Sequence, residues 1–243
     1  MKPDLLIADL SGVYEEEGFL QVLRERNIAF NGVRLRDIPG THCYCDPEAE
    51  KEICRRLSAY KESGIRWIDS GDYHYVSKIL AGFMKAPFTL VLMDNHPDDQ
   101  EPAFGGVLSC GSWIRDLLET CPMLEEVWTM GPDHRIRNGS GTVDRELEEG
   151  IGDLLSALRG HRVYLSIDKD VLCREDARTD WSQGTYRLEQ LKGWLEALLE
   201  LDVVAMDLCG ELSLSKGATP EDLRINCDTN IDLLGFILDC LKK

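Results

Sequence analysis

The chain has 243 residues, 43% of them hydrophobic and 29% charged, with a formal net charge of -17. That size suits one large α/β domain with one core, and the composition is that of an ordinary globular protein. No apolar run approaches the roughly 20 residues that span a bilayer, so no membrane partner is expected, and the acidic balance excludes nucleic acid, whose phosphates need clustered Lys and Arg.

Taken in chain order, a β-rich run at 4–9 ("DLLIAD") comes first and a weaker one follows at 27–36. Residues 47–64 ("PEAEKEICRRLSAYKESG") predict a helix, with Asp46 as N-cap, Pro47 at the first position, acids in the first turn and Gly64 at its close. Strands are then expected at 65–69, 88–94, 125–131, 161–168 and 201–207, with helices at 111–120, 143–159, 186–200 and 219–242. The stretch 171–185 follows a strand and has neither period, which marks it as an active-site loop. Strands separated by helices predict a mostly parallel sheet covered on both faces, in a single domain over residues 1–243. The closing segment "NIDLLGFILDCLKK" is apolar enough to pack on the core or on a second copy of the chain, so a homo-oligomer is compatible with it. The N-terminal "MKPDLLIADLSG" lacks the shape of a secretory signal, and the nine cysteines are odd in number and scattered. A cytoplasmic protein with reduced thiols is the expectation.

Five of the six strong strands stop at an acid: Asp9, Asp69, Asp94, Asp168 and Asp207. In open parallel sheets ligands bind beyond the carboxyl ends of the strands, so these positions can converge. In "DNHPD", Asp94, His96 and Asp98 fall at i, i+2 and i+4, which in an extended segment puts all three on one side. "SIDKD" repeats the device with Asp168 and Asp170, and "SGDYHY" adds His74 after a glycine turn. Four carboxylates in one cleft would repel and be forced to take up protons, whereas two divalent cations would balance them. Oxygen ligands with two imidazoles and no thiolate suit two Mn²⁺ per chain, or Fe²⁺ or another divalent ion, better than structural Zn²⁺. Such a two-metal site, its ions about 3.5–4 Å apart, holds a nucleophilic hydroxide. Asp9 either caps the next helix or faces the site. Met93, Met130 and Met206 read as core fillers, and in "THCYCDP" loop packing is the expected role of His42, Cys43 and Cys45, since no second ligand pair lies at metal-binding spacing.

"DNHPD" at 94–98 resembles the Asp-x-His-x-Asp motif of the arginase (ureohydrolase) superfamily, and "SIDKD" at 166–170 its Ser-x-Asp-x-Asp motif. "SGDYH" at 70–74 is similar to its Gly-Gly-Asp-His motif with one residue inserted, and "QGTYRLEQL" at 183–191 to its later Gly-Gly-Leu-Thr step. The anchors occur in the family's order over residues 65–211. The resemblance implies a three-layer α/β/α fold and a binuclear manganese centre in an arginase-like hydrolase. Asp94 and Asp168 would bridge the two metals, His74 and Asp98 would complete one, and His96 and Asp170 the other. The implied activity is cleavage of a C–N bond in a guanidino, amidino or amide small molecule, a cationic one among the candidates, through a metal-bridging hydroxide. The loop after the first motif, "EPAFGGVLSCGSW", lacks the histidine that guanidine hydrolases carry there. Asp98, His134 or Cys110 is then the proton carrier, and Asp133 and Glu211 are the residues expected to grip a cationic substrate. The six-ligand set argues against the mononuclear zinc deacetylase branch. Two alternatives come from other classes: a haloacid-dehalogenase-like phosphatase using Asp168 and Asp170, which would leave "DNHPD" without a role, and a catalytically silent metal-binding protein.

Overall fold

The computed structural model describes residues 1–102 and 105–242, so Ala103 and Phe104 of the loop after "DNHPD" and the terminal Lys243 lie outside the described residues. The chain opens with β1 (Leu5–Asp9), two short helices α1 (Val13–Glu16) and α2 (Phe19–Glu25), and the edge strand β2 (Phe30–Arg34). Next come β3 (Tyr44–Cys45), α3 (Pro47–Leu57), β4 (Ile65–Trp67), α4 (Val76–Ala81), β5 (Phe88–Met93), β6 (Leu108–Ser109), α5 (Trp113–Thr120) and β7 (Leu124–Met130). An antiparallel pair follows, β8 (Arg135–Asn138) and β9 (Asp144–Glu146), then α6 (Leu147–Ala157), β10 (Arg162–Asp168), α7 (Leu188–Leu199), β11 (Asp202–Cys209) and α8 (Pro220–Cys240).

Nine strands form one sheet in the order β2-β1-β4-β11-β10-β5-β7-β8-β9. The pairings from β2 to β7 are parallel, and β8 and β9 extend one edge in antiparallel register. The period of two along the strands divides the core. Leu5, Ile7, Val91 and Met93 face one layer, where the apolar stripes of α2, α6, α7 and α8 close over them. Leu6, Ala8, Leu90 and Leu92 face the other, against α3, α4 and α5. The central strands are buried on both faces, as a parallel sheet between helices requires.

The expected strands are all present, and α3 begins as read, with the Asp46 carboxylate accepting from Ala49 N at 2.8 Å and Pro47 in the first turn. Three features differ from expectation. The region 143–159 starts as β9 before turning helical. α4 and the β3–β6 ribbon carry too few residues to show a period. β11 runs on through Asp207 to Cys209, because it pairs with β10 as far as Asp168, so Asp207 lies inside the sheet rather than at a strand end. Among the described residues no helix is long and apolar enough to cross a membrane.

Candidate metal centre

β5, β10 and β4 deliver the motif residues to one end of the sheet. β5 stops at Met93, and the next three residues bend sharply instead of staying extended. Asp94 caps the bend, its Oδ1 accepting from His96 N at 2.6 Å, and Asp98, in left-handed backbone at φ 49°, turns its carboxylate back toward Asp94. The three side chains therefore meet through a bend, not through strand alternation. Asp168 ends β10 and caps the next turn by accepting from Asp170 N at 2.8 Å, which sets Asp170 beside it. Asp170 Oδ1 in turn accepts from Asn95 N at 2.8 Å and locks the two motifs together. The residue inserted in "GDYH" is absorbed by a single 3-10 turn, Gly71–Tyr73, which leaves His74 buried against the same carboxylates.

Two groups result, sharing Asp94. His74 Nδ1 lies 3.0 Å from Asp98 Oδ2, 3.2 Å from Asp94 Oδ2 and 3.5 Å from Asp168 Oδ2. His96 Nδ1 lies 2.7 Å from Asp170 Oδ2 and 3.5 Å from Asp94 Oδ1. All six ligands expected from the motifs are brought together.

The far nitrogens of both rings are held by serines. His74 Nε2 lies 3.0 Å from Ser166 Oγ, and Ser166 donates its own proton to Asp207 Oδ1 at 2.6 Å. With its hydrogen so committed, Ser166 can only accept from His74, so Nε2 carries a proton, and Nδ1, held protonated by the carboxylates around it, is the nitrogen a cation would take in place of that proton. Asp207 is the anchor of this relay and also accepts from Ser77 Oγ at 2.9 Å and Tyr164 OH at 2.5 Å, the latter held by Arg66 at 3.0 Å. His96 Nε2 lies 2.9 Å from Ser182 Oγ. Four carboxylates around two imidazoles carry more negative charge than the rings can neutralise, and further protons or cations must supply the rest.

The acid–base balance records that crowding. Burial and the charge of Asp94 push Asp98 up to about 7. Burial, then Asp94, raises Asp168, and burial with Asp168 and Asp94 lifts Asp170 well above the carboxylate range. For Asp94 burial works in the same direction, but hydrogen bonds from His74 and His96 outweigh it and hold the group below its usual value. Hydrogen bonding to Asp170, then Asp94, pushes His96 up to about 11. The donor set of oxygens and imidazole nitrogens, its charge and its ring orientation all fit a pair of divalent cations.

Two glycines make room for this. Gly131, at φ 129°, passes so close behind the first motif that a β-carbon there would stand 2.1 Å from Asp94 O. Gly210, at φ 96°, would place a β-carbon 2.2 Å from Asp168 Oδ1. Neither stood out in the sequence, nor did Ser166 beyond its place in the motif.

Several expected residues lie elsewhere. Glu211 is fully buried and taken: Lys169 Nζ donates to its Oε1 at 2.5 Å and Asn230 Nδ2 at 2.9 Å, within a network that reaches Glu17. It is not free to grip a substrate. His134 is exposed, in left-handed backbone at φ 58°, and its ring meets Tyr186 edge-on at 5.2 Å, outside the cavity lining. Asp133 is exposed beside it and pairs with Arg137 at 3.3 Å. Asp69 clamps the start of the α1 loop by accepting from Leu10 N, Ser11 N and Ser70 N at 2.8–2.9 Å. Asp9 pairs with Arg36 at 2.8 Å.

The ligands open onto a cavity of about 130 Å³, whose remaining wall includes Cys43, Tyr44, Gln100, Ser109, Cys110 and Trp181. Cys110 thus reaches the site, with its thiol pushed up by burial and so protonated. Trp181 comes from the irregular stretch after β10 expected to form an active-site loop. It is 43% exposed, yet its Nε1 donates to Asp72 Oδ1 at 3.1 Å and its ring edge faces His96 at 6.2 Å.

No protein-family model matches the chain. A protein of Thermotoga maritima, described as uncharacterized, is 32% identical over 216 residues, covering 86% of this chain and 80% of that protein. Among solved structures, a formimidoylglutamase from Bacillus subtilis superposes with a TM-score of 0.70 over 98% of this chain and 86% of that one, at 15% identity. A hypothetical agmatinase from Burkholderia thailandensis gives 0.67 at 15% identity, over 99% and 87% of the two chains. Arginase from Bacillus caldovelox gives 0.66 at 15% identity, over 97% and 99%. Such distant identities speak for the architecture. The chain therefore belongs to one family with the Thermotoga maritima protein, and its fold is that of the formimidoylglutamase, agmatinase and arginase structures.

Proposed function

We propose that this protein is a metal-dependent hydrolase of C–N bonds in small guanidino, amidino or amide molecules, built as one catalytic domain. The observation that carries the reading is the pair of imidazoles whose Nδ1 atoms lie among two carboxylate groups that share Asp94. His74 and Asp98 would hold one cation, His96 and Asp170 the other, with Asp94 and Asp168 between them. Mn²⁺ is the ion we favour, since the donors are hard oxygens and imidazoles. When bound, such ions lower the pKa of a water toward neutrality and polarise the carbon it attacks.

The chain's own residues do the rest. Ser166 accepts from His74 Nε2 and so leaves Nδ1 as the nitrogen a cation would take, and Ser182 Oγ stands against Nε2 of His96. Asp98, buried under Trp113 Nε1 at 2.6 Å, is the group placed to carry a proton to the leaving nitrogen. With Glu211 paired and Asp133 exposed elsewhere, recognition falls to Gln100, Ser109 and the Trp181 face. The cavity size suits a small molecule. The arginase-like fold sets aside the phosphatase alternative, in which Asp168 would be a free nucleophile.

The test is metal content per chain, by elemental analysis of protein grown with manganese, for wild type and His96→Ala. Two equivalents in wild type, falling in the variant, together with turnover in a panel of guanidines, amidines and amides, are expected. No tightly held ion would overturn the reading, and two ions with no turnover across the panel would favour a silent metal-binding protein.

A further inference from the structure

A second group of metal-capable side chains lies outside the six ligands. The β3–β6 ribbon fixes the loop before it through Cys110 N donating to Cys43 O at 3.0 Å, and Cys43 itself is held in left-handed backbone at φ 58°. That geometry turns the Cys43 thiol to within 3.2 Å of Asp72 Oδ1 and sets His42 Nδ1 3.5 Å from Asp72 Oδ2. One ligand atom from each residue lies within 4.8 Å of the other two. Tetrahedral zinc with bonds of about 2.0–2.3 Å has ligand–ligand edges of about 3.3–3.8 Å, so small side-chain shifts would close the group around an ion. Cys45, the other thiol of the motif, is buried and points away, toward Asp46 O.

The charge balance around Asp72 is independent of that geometry and also asks for a cation. The Asp72 and Asp180 side chains are both fully buried, and a single ammonium, Lys216 Nζ, serves them at 3.0 Å and 3.6 Å. One negative charge is left over. Oδ2 of each carboxylate is buried without a hydrogen-bond partner. An ionised carboxylate oxygen left so is costly unless something positive reaches it.

We propose that His42, Cys43 and Asp72 form a separate cation site for one borderline-soft divalent ion of the Zn²⁺ type, beside the same cavity, which Cys43 lines. Imidazole, thiolate and carboxylate are the mixed donor set such ions take, with water filling the fourth position. On loading, the S–H bond of Cys43 breaks, its proton goes to solvent and the sulfur pair forms the bond to the ion, so no oxidant or reductant is involved. Lys216, whose side chain is 35% exposed, keeps Asp180 or turns outward. The site shares no ligand with the main centre and stands whether or not the hydrolase reading does.

Cobalt tests it, because Co²⁺ bound by thiolate shows a charge-transfer band in the near ultraviolet that oxygen and imidazole ligands do not give. Full-length protein stripped of metal is titrated with Co²⁺, and bound ions per chain are counted. We expect the band in wild type and in Cys209→Ser, its loss in Cys43→Ser with one ion fewer per chain, and an affinity for the band-forming ion at least about tenfold weaker in His42→Ala. His42 is exposed, so that variant keeps the test decisive if Cys43→Ser folds poorly. Asp94→Asn should lower the ion count while leaving the band, and a failure there would count against the main centre alone. The proposal is overturned if wild type shows no thiolate band, if the band follows Cys209, which lies 3.2 Å from Asp168 Oδ2, or if His42→Ala binds as wild type does.

Discussion

Single positions show how little slack the ligand shell has. At Gly210, Lys169 N stands 2.8 Å from where a β-carbon would go, in addition to the Asp168 oxygen, and the φ of 96° suits glycine. Neither obstacle is a flexible side-chain tip, since Asp168 is held by Asp170 N and by the Cys209 thiol. Gly210→Ala should therefore cost about 1–3 kcal/mol, which for a chain of this size lowers the melting temperature by about 2–4 °C per kcal/mol, and it should weaken metal binding by displacing Asp168. A thermal melt and metal analysis check both, and a lowered melting temperature with unchanged metal content would show that the strain falls on the Gly210 backbone and leaves Asp168 in place. Ser166→Ala tests the relay behind His74. It removes the acceptor for Nε2–H and frees the ring to change tautomer, so metal affinity should fall about 10–100-fold with the fold intact. Thr at the same position keeps the hydroxyl and should restore part of that loss, which a purely structural role for Ser166 would not predict.

Among the elements, α3 is the clearest case of local sequence deciding structure. Asp46, Pro47 and the acids of the first turn make its N-terminus legible without tertiary information. Asp46→Ala should cost about 1 kcal/mol, a fall of about 2–4 °C in melting temperature, and leave metal content unchanged because no residue of α3 lines the cavity at the ligands. The strands with continuous apolar runs were equally legible, and so were the acids at the ends of β5 and β10. What failed were the readings that needed long-range partners. Asp207 reads as a strand-end acid until β10 is seen to pair along β11 past it. Glu211 looks like a substrate grip in "MDLCGEL", but Lys169 and Asn230 occupy it from elements 42 and 19 residues away in sequence. Periodicity and motif spacing describe neighbours along the chain, and each of these errors lies in a contact across the sheet.

For the molecule as a whole, the six candidate ligands come from three segments, at 74, 94–98 and 168–170, that the parallel sheet alone holds together. In the unfolded chain those segments are far apart and bind no ion as a set. Any cation they hold thus binds the native state and not the unfolded one, and adds RT ln(1 + [L]/Kd) to stability, about 2.7 kcal/mol when free metal is 100-fold above Kd. At about 2–4 °C per kcal/mol that is a rise of about 5–11 °C in melting temperature. The apo protein must instead keep four buried carboxylates near one another with only protons to neutralise them, which adds to the gap. Melting curves with manganese and with a chelator should differ by that amount in wild type. In His96→Ala the difference should shrink, because a ligand is gone and affinity with it. Equal curves for wild type with metal and with chelator would mean that the cluster holds no ion in the native state, and that its carboxylates are neutralised by shared protons alone.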